Sequence, residues 1–270
     1  MSIRQYRPRG RSRRGMTSRQ AWILYTLFAL TVGLQILYPL IHGGLLRFTT
    51  IAIVYCASLT MLAHALFSYG AKYLSLYLVI TFSFSLLIEE IGSRTGWPFG
   101  EYHYSTTLGF QFFGVPLVVP FAWLMMAHPI LILSRKLSPA WTFLIGGFGL
   151  MTWDLFVDPQ MVAAGRWSWK IVGPHVPLQP SIPLSNTAGW LLGGMGLIAI
   201  LHKVLPKERR KVGASVIAVE LFLAWTLFSG IVGNLFFFHT PGVALIAGIP
   251  FLALLLPYYF VSHLGRPDNL

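Results

Sequence analysis

Glu89, Asp154 and Asp158 are the side chains in this sequence whose type and spacing best suit acid–base chemistry. Acids are scarce: eight Asp and Glu occur in 270 residues. Glu208 and Asp268 fall in polar stretches, and Glu220 is close enough to a basic run to pair with it. The other five, Glu89, Glu90, Glu101, Asp154 and Asp158, end apolar runs or lie just beyond one. Ionisable groups in such places are costly and usually face a bundle interior or a cavity. Asp154 and Asp158 are spaced i, i+4, so they share one side of a helix. Like charges that close favour protonation of one partner. A protonated carboxyl beside an ionised one is the pairing that general acid–base catalysis needs. The simpler reading is that these acids pair with Arg94, Arg166 and Lys170 at a membrane boundary.

Helical geometry separates the first two acids. Tyr77, Thr81, Ser85 and Glu89 follow at i+4 intervals and form one polar row. Glu90 points about 100° away from Glu89, which makes it a partner for Arg94. The segments beyond these acids are rich in aromatics: Trp97, Phe99, Tyr102 and Tyr104 after the first pair, Trp153, Trp167 and Trp169 around the second. Interfacial belts account for aromatics of this kind, but their faces also stabilise cations. Trp153, next to Asp154, is the first candidate for that role.

The elements that must hold these residues are membrane helices. Hydrophobic residues make up 55% of the chain and charged residues 10%, with a mean hydropathy of +0.66. Soluble domains carry about a quarter charged residues. Runs of about 20 apolar residues recur throughout, the mark of a polytopic all-α helical bundle rather than a barrel. The expected spans are 21–41, 48–69, 73–91, 114–134, 141–157, 188–205, 214–237 and 242–262, with Pro159 ending the fifth. Residues 1–20 read as a disordered basic cytosolic tail and 21–265 as one transmembrane domain. The first apolar run is too long for a cleaved secretory signal. With the N-terminus in the cytosol, eight crossings place sixteen of the twenty Lys and Arg on the cytosolic side and four opposite. That is the asymmetry of the positive-inside rule, and it puts both termini in the cytosol. The same distribution argues against nucleic acid as partner, despite a net charge of +12. Gly189 and Gly193 form a small-xxx-small pair suited to close helix approach.

Other chemistries lack their residues. Cys56 is the one cysteine, and the eight histidines show no ligand spacing, so no metal site is expected. There is no Walker loop, no GxGxxG opening a helix and no GxSxG elbow.

The longest motif runs Glu89-x-x-Gly92-x-x-Thr95-Gly96-x-Pro98-Phe99-Gly100-x-Tyr102-x-Tyr104. Later blocks follow in order: Pro116-Leu117 with Trp123, Trp153-Asp154, Asp158-Pro159, Trp167-x-Trp169, and Pro183-x-x-Asn186-x-x-Gly189-Trp190. This pattern resembles the integral-membrane carotenoid hydratases of the bisanhydrobacterioruberin hydratase or carotenoid 1,2-hydratase type. The likeness extends from about residue 80 to 195 and implies that the whole core belongs to it. Thr187 departs from it, standing where the family pattern has an aromatic. The resemblance implies hydration of the terminal C1=C2 double bond of an acyclic carotenoid such as lycopene, γ-carotene or a C50 precursor, without a redox cofactor. The substrate would lie in the lipid bilayer, with membrane lipids and other carotenoid-biosynthesis enzymes as candidate partners. On this reading Glu89, Asp154 and Asp158 are catalytic, and Glu90, Arg94, Tyr104, Trp153 and Asn186 support them. Trp97, Phe99, Tyr102, Trp167 and Trp169 contact substrate. Three alternatives stay open. Asp154-x-x-x-Asp158 is half of an aspartate-rich prenyltransferase site, a lycopene cyclase also protonates an end-group alkene, and an acidic cluster could couple protons to transport.

Overall fold

The computed structural model describes residues 16–206 and 215–264. The basic tail lies outside these up to residue 15, as do the 207–211 basic run with Glu208 and the residues from 265 onward.

The chain forms α1 (Ser18–Leu37), α2 (Gly43–Tyr69), α3 (Ala71–Thr95), β1 (Tyr102–Tyr104), β2 (Gln111–Phe112), β3 (Val115–Pro116), α4 (Val118–Leu137) and α5 (Thr142–Ala163). It continues with β4 (Trp167–Trp169), β5 (His175–Val176), β6 (Gln179–Pro183), α6 (Leu184–Val204), α7 (Ile217–Phe236), α8 (Pro241–Ile246) and α9 (Gly248–Tyr259). A capping box starts α1 earlier than expected: Gln20 N donates to Thr17 Oγ1 at 3.2 Å, and Thr17 N donates to Gln20 Oε1 at 3.0 Å. Residues 18–20 therefore belong to the first helix rather than to a tail. The span expected over 242–262 is broken into α8 and α9.

Seven helical stretches among the described residues are long and apolar enough to cross a membrane. α5 is not one of them, because Asp154, Asp158 and three glycines lower its apolar character. Its 22 residues still reach about 33 Å, against a hydrocarbon layer of about 30 Å. Pro159 does not end α5. The helix runs one turn further because its last carbonyls are capped: Ala164 N bonds Gln160 O at 2.9 Å and Arg166 N bonds Met161 O at 2.8 Å.

α4 is the central rod, buried over most of its circumference, as a helix apolar on all sides must be. α5 and α6 are closely packed, and small residues make that possible. A Cβ on Gly194 would stand 3.0 Å from Gly147 Cα. In lipid, where apolar contact gives little drive to associate, such backbone proximity is how helices gain packing energy.

Short strands cover one end of the bundle. β1 and β4 pair antiparallel, setting Tyr102 opposite Trp169 and Tyr104 opposite Trp167. Alternation along a strand puts these four rings on one face. The all-helical expectation has the right class and an aromatic loop after Glu89, but not this strand pairing with the segment after α5.

Candidate active site

Glu89 sits in the last two turns of α3 with 3% of its surface exposed, at the end of a row in which Tyr77, Thr81 and Ser85 are fully buried. Gly96 ends the helix in the left-handed region at φ 76°, and the chain folds back over α3. The return is close: a Cβ on Gly92 would lie 2.8 Å from the Phe99 ring and 2.9 Å from Tyr102 Oη. Both tyrosines of β1 then reach the carboxylate. Tyr102 Oη and Tyr104 Oη each donate to Glu89 Oε2 at 2.7 Å. From α4, Trp123 Nε1 donates to Oε1 at 3.0 Å. Burial, and then the Glu89 carboxylate beside them, push both phenols well above the usual tyrosine range. They stay protonated and serve as donors. Among the described residues, Glu89 thus has three side-chain donors on its carboxyl group.

The second acidic centre is on α5. Asp154 and Asp158 are each 2% exposed and lie one turn apart on α5. Asn186, in the first turn of α6, donates to both: Nδ2 lies 3.0 Å from Asp154 Oδ2 and also bonds Asp158 Oδ2. Trp167 Nε1, in the lid, donates to Asp158 Oδ1 at 3.1 Å. The close packing of α5 on α6 brings the amide within reach of both acids.

Glu89 and the aspartate pair line the same cavity, of about 390 Å³, whose walls are mainly apolar. Trp123 and Trp190 stack between the centres at 4.3 Å and 13°, and Trp153 meets Trp190 edge-on at 5.7 Å. The cavity thus joins a glutamate held by three donors, an aspartate pair bridged by one amide and a tryptophan wall. Among the described residues no three His, Cys, Asp or Glu are grouped to hold a metal ion.

Of the residues singled out in the sequence, Glu89, Asp154, Asp158, Tyr104, Trp153, Asn186, Phe99, Tyr102, Trp167 and Trp169 line this cavity. Glu90, Arg94 and Trp97 do not. Glu90 lies on the other face of α3 and pairs with Arg94 at 2.9 Å, at the surface. Trp97 points outward and is 64% exposed, because the turn after Gly96 directs Phe99 rather than Trp97 into the bundle. Glu101 pairs with Lys170 at 3.2 Å, also at the surface. The five-acid grouping therefore divides into three cavity acids and two surface ion pairs. Arg166 is buried and bonds the Thr107 hydroxyl at 3.2 Å. Glu220 accepts from Tyr258 Oη at 3.1 Å and meets His263 Nε2 at 3.3 Å, so its described partners are on or just after α9.

Sequence reasoning left Trp123 and Trp190 without roles, although both stand in the quoted motif blocks. It also missed the contribution of α1, the turn after it and α7 to the cavity, through Gln35, Tyr38, Phe222 and Trp225. No local pattern signals contacts between segments so far apart.

Comparison with known proteins now bears on this geometry. A family model described as "Carotenoid biosynthesis protein" matches residues 48–255. The chain belongs to this family. The matched region contains all three cavity acids, the tryptophan wall and the lid. A bisanhydrobacterioruberin hydratase of Haloarcula japonica is 33% identical over 145 residues, which is 51% of this chain and 42% of that protein. The match thus spans less than half of the relative's length. No solved structure matches. The protein is a multi-pass membrane protein with a role in carotenoid biosynthesis.

Proposed function

We propose that this protein hydrates the terminal isopropylidene double bond of an acyclic carotenoid, giving a tertiary alcohol. The observation that carries this reading is one apolar cavity lined by an amide-bridged aspartate pair, a separate glutamate held by three donors, and a tryptophan wall. The likeness to a bisanhydrobacterioruberin hydratase supports it.

The residues divide the reaction as follows. The proton shared by Asp154 and Asp158 passes to C2 of the alkene, whose π electrons form the new C–H bond and leave a tertiary cation at C1. The faces of Trp153 and Trp190 stabilise that cation. A water oxygen then forms the C–O bond at C1, and Glu89 receives the proton that the water loses. Proton return from Glu89 to the aspartate pair, directly or through water, closes the cycle, so the sum is addition of one water. The Glu89 and aspartate roles exchange if the alkene binds in the opposite orientation. Asn186 holds the two aspartates together, and Tyr102, Tyr104 and Trp123 hold Glu89 in place. The charge distribution supports an orientation with both termini cytosolic, which puts the lid on the opposite side of the membrane.

Expression in a lycopene-accumulating bacterium, followed by mass analysis of the pigments, tests the reaction. Hydration adds one water per end, cyclisation leaves the mass unchanged, and prenylation adds a five-carbon unit. Fully active Glu89→Gln and Asp154→Asn enzymes would overturn the site assignment.

A further inference from the structure

The cavity has a wall that the carboxylates do not account for. Besides Glu89 and the aspartates, residues of α1 and α7 line it, among them Ile36, Thr226, Phe228 and Ser229. Ile36 and Phe228 also belong to the outer surface of the bundle, 53% and 56% exposed. Phe228 lies eight residues before the end of α7, about 12 Å along the axis. That depth is within a hydrocarbon layer of about 30 Å, where the outer surface of a membrane bundle faces lipid rather than water. Across the seam, Trp225 Nε1 on α7 donates to Gln35 Oε1 on α1 at 2.6 Å. α1 rests mainly on α2 and only lightly on α7, and interhelical hydrogen bonds in membranes contribute modestly. This seam is a place where the bundle can part without disturbing its core.

We propose that the seam between α1 and α7 is the lateral entry for the apolar chain of the substrate, with the Gln35–Trp225 bond as its latch. The inference rests on the reading of the cavity as the site for a polyene end group. A rigid polyene cannot coil into a compact cavity of about 390 Å³, so most of its length must leave the protein while one end meets the carboxylates. The β1–β4 pair lies across the lid side, whereas the α1–α7 wall includes two residues exposed on the outer surface of the bundle, which faces the hydrocarbon where such a molecule dissolves. Ile36, Thr226, Phe228 and Ser229 would then set which chains pass, and Glu89 with the aspartates would act on the end that arrives.

The test separates entry from chemistry. Wild-type, Ile36→Trp and Ser229→Trp proteins are produced in a lycopene-accumulating host, and lycopene retained per purified protein is read by absorbance. Turnover is then compared in phosphatidylcholine vesicles for lycopene and for myrcene, a C10 hydrocarbon with the same isopropylidene end. Leu37→Trp is the control, at an exposed neighbouring position outside the cavity wall. Both wall variants should retain at least tenfold less lycopene, and should lose at least tenfold more turnover on lycopene than on myrcene, with Leu37→Trp unchanged. Wild-type retention in both wall variants would overturn the proposal, as would equal losses on the two substrates. A wild type that retains lycopene without hydrating it would sink the hydration reading alone, because the retention comparison still decides where the chain enters.

Discussion

Replacing Asn186 with leucine tests whether the aspartate pair is the acid. Leucine keeps nearly the same volume but removes the amide that donates to Asp154 at 3.0 Å and also bonds Asp158. Hydrogen bonds to charged groups contribute roughly 1.5–3 kcal/mol, and neutral ones about 1. With one proton on the pair, as the proposed mechanism requires, one bond of each kind is lost, about 3 kcal/mol in total. Without the amide, Asp154 and Asp158, both 2% exposed, keep among the described side chains the Trp167 donor on Asp158. If the full amount falls on the step in which the pair gives up its proton, the rate drops about 100-fold, since each 1.4 kcal/mol is about tenfold. The assay is hydrated pigment by mass spectrometry, normalised to protein recovered from membranes, with melting followed by fluorescence-detected size exclusion. The expected result is a loss of about 100-fold with the protein still folded. Activity within twofold of wild type in a normally folded variant would refute the reasoning, because the geometry of the pair would then be irrelevant to turnover.

Glu89→Gln puts an amide group among the three donors of Tyr102, Tyr104 and Trp123, and product should fall at least 100-fold by the same assay. Tyr104→Phe removes one donor from that carboxylate and should cost about 1.5–3 kcal/mol in turnover, roughly tenfold to 150-fold. Glu90→Gln breaks only a surface pair with Arg94, worth about 0–1 kcal/mol, so activity and melting temperature should stay near wild type. Gly147→Ala would set a Cβ 2.7 Å from Leu191 O and 2.8 Å from Met195 N. Backbone cannot yield cheaply there, so melting should show a destabilisation of about 1–3 kcal/mol.

The sequence by itself determined the class of fold, because hydrocarbon accepts only backbones that satisfy their own hydrogen bonds. It also marked Glu89 as the inward carboxylate: the row through Tyr77, Thr81 and Ser85 is a property of one helix, and all of it is buried. The spacing of Asp154 and Asp158 was legible for the same reason. What lies between helices was not. The Asn186 bridge depends on the close packing of α5 and α6, and Trp123 reaches Glu89 from a separate helix. The division of five grouped acids into three in the cavity and two in surface pairs was decided by which way each turn faces. His64 and His128 show no spacing in the chain, yet the fold sets Nδ1 of one 2.9 Å from Nε2 of the other, with the Tyr73 hydroxyl 3.2 Å beyond. The lid, too, is a tertiary product: β1 and β4 are three-residue strands far apart in sequence, too short to announce themselves until α3 and α5 bring them side by side. Periodicity reports what one helix does to its own residues; the partners of each carboxyl were fixed only when separate helices and loops packed around the cavity.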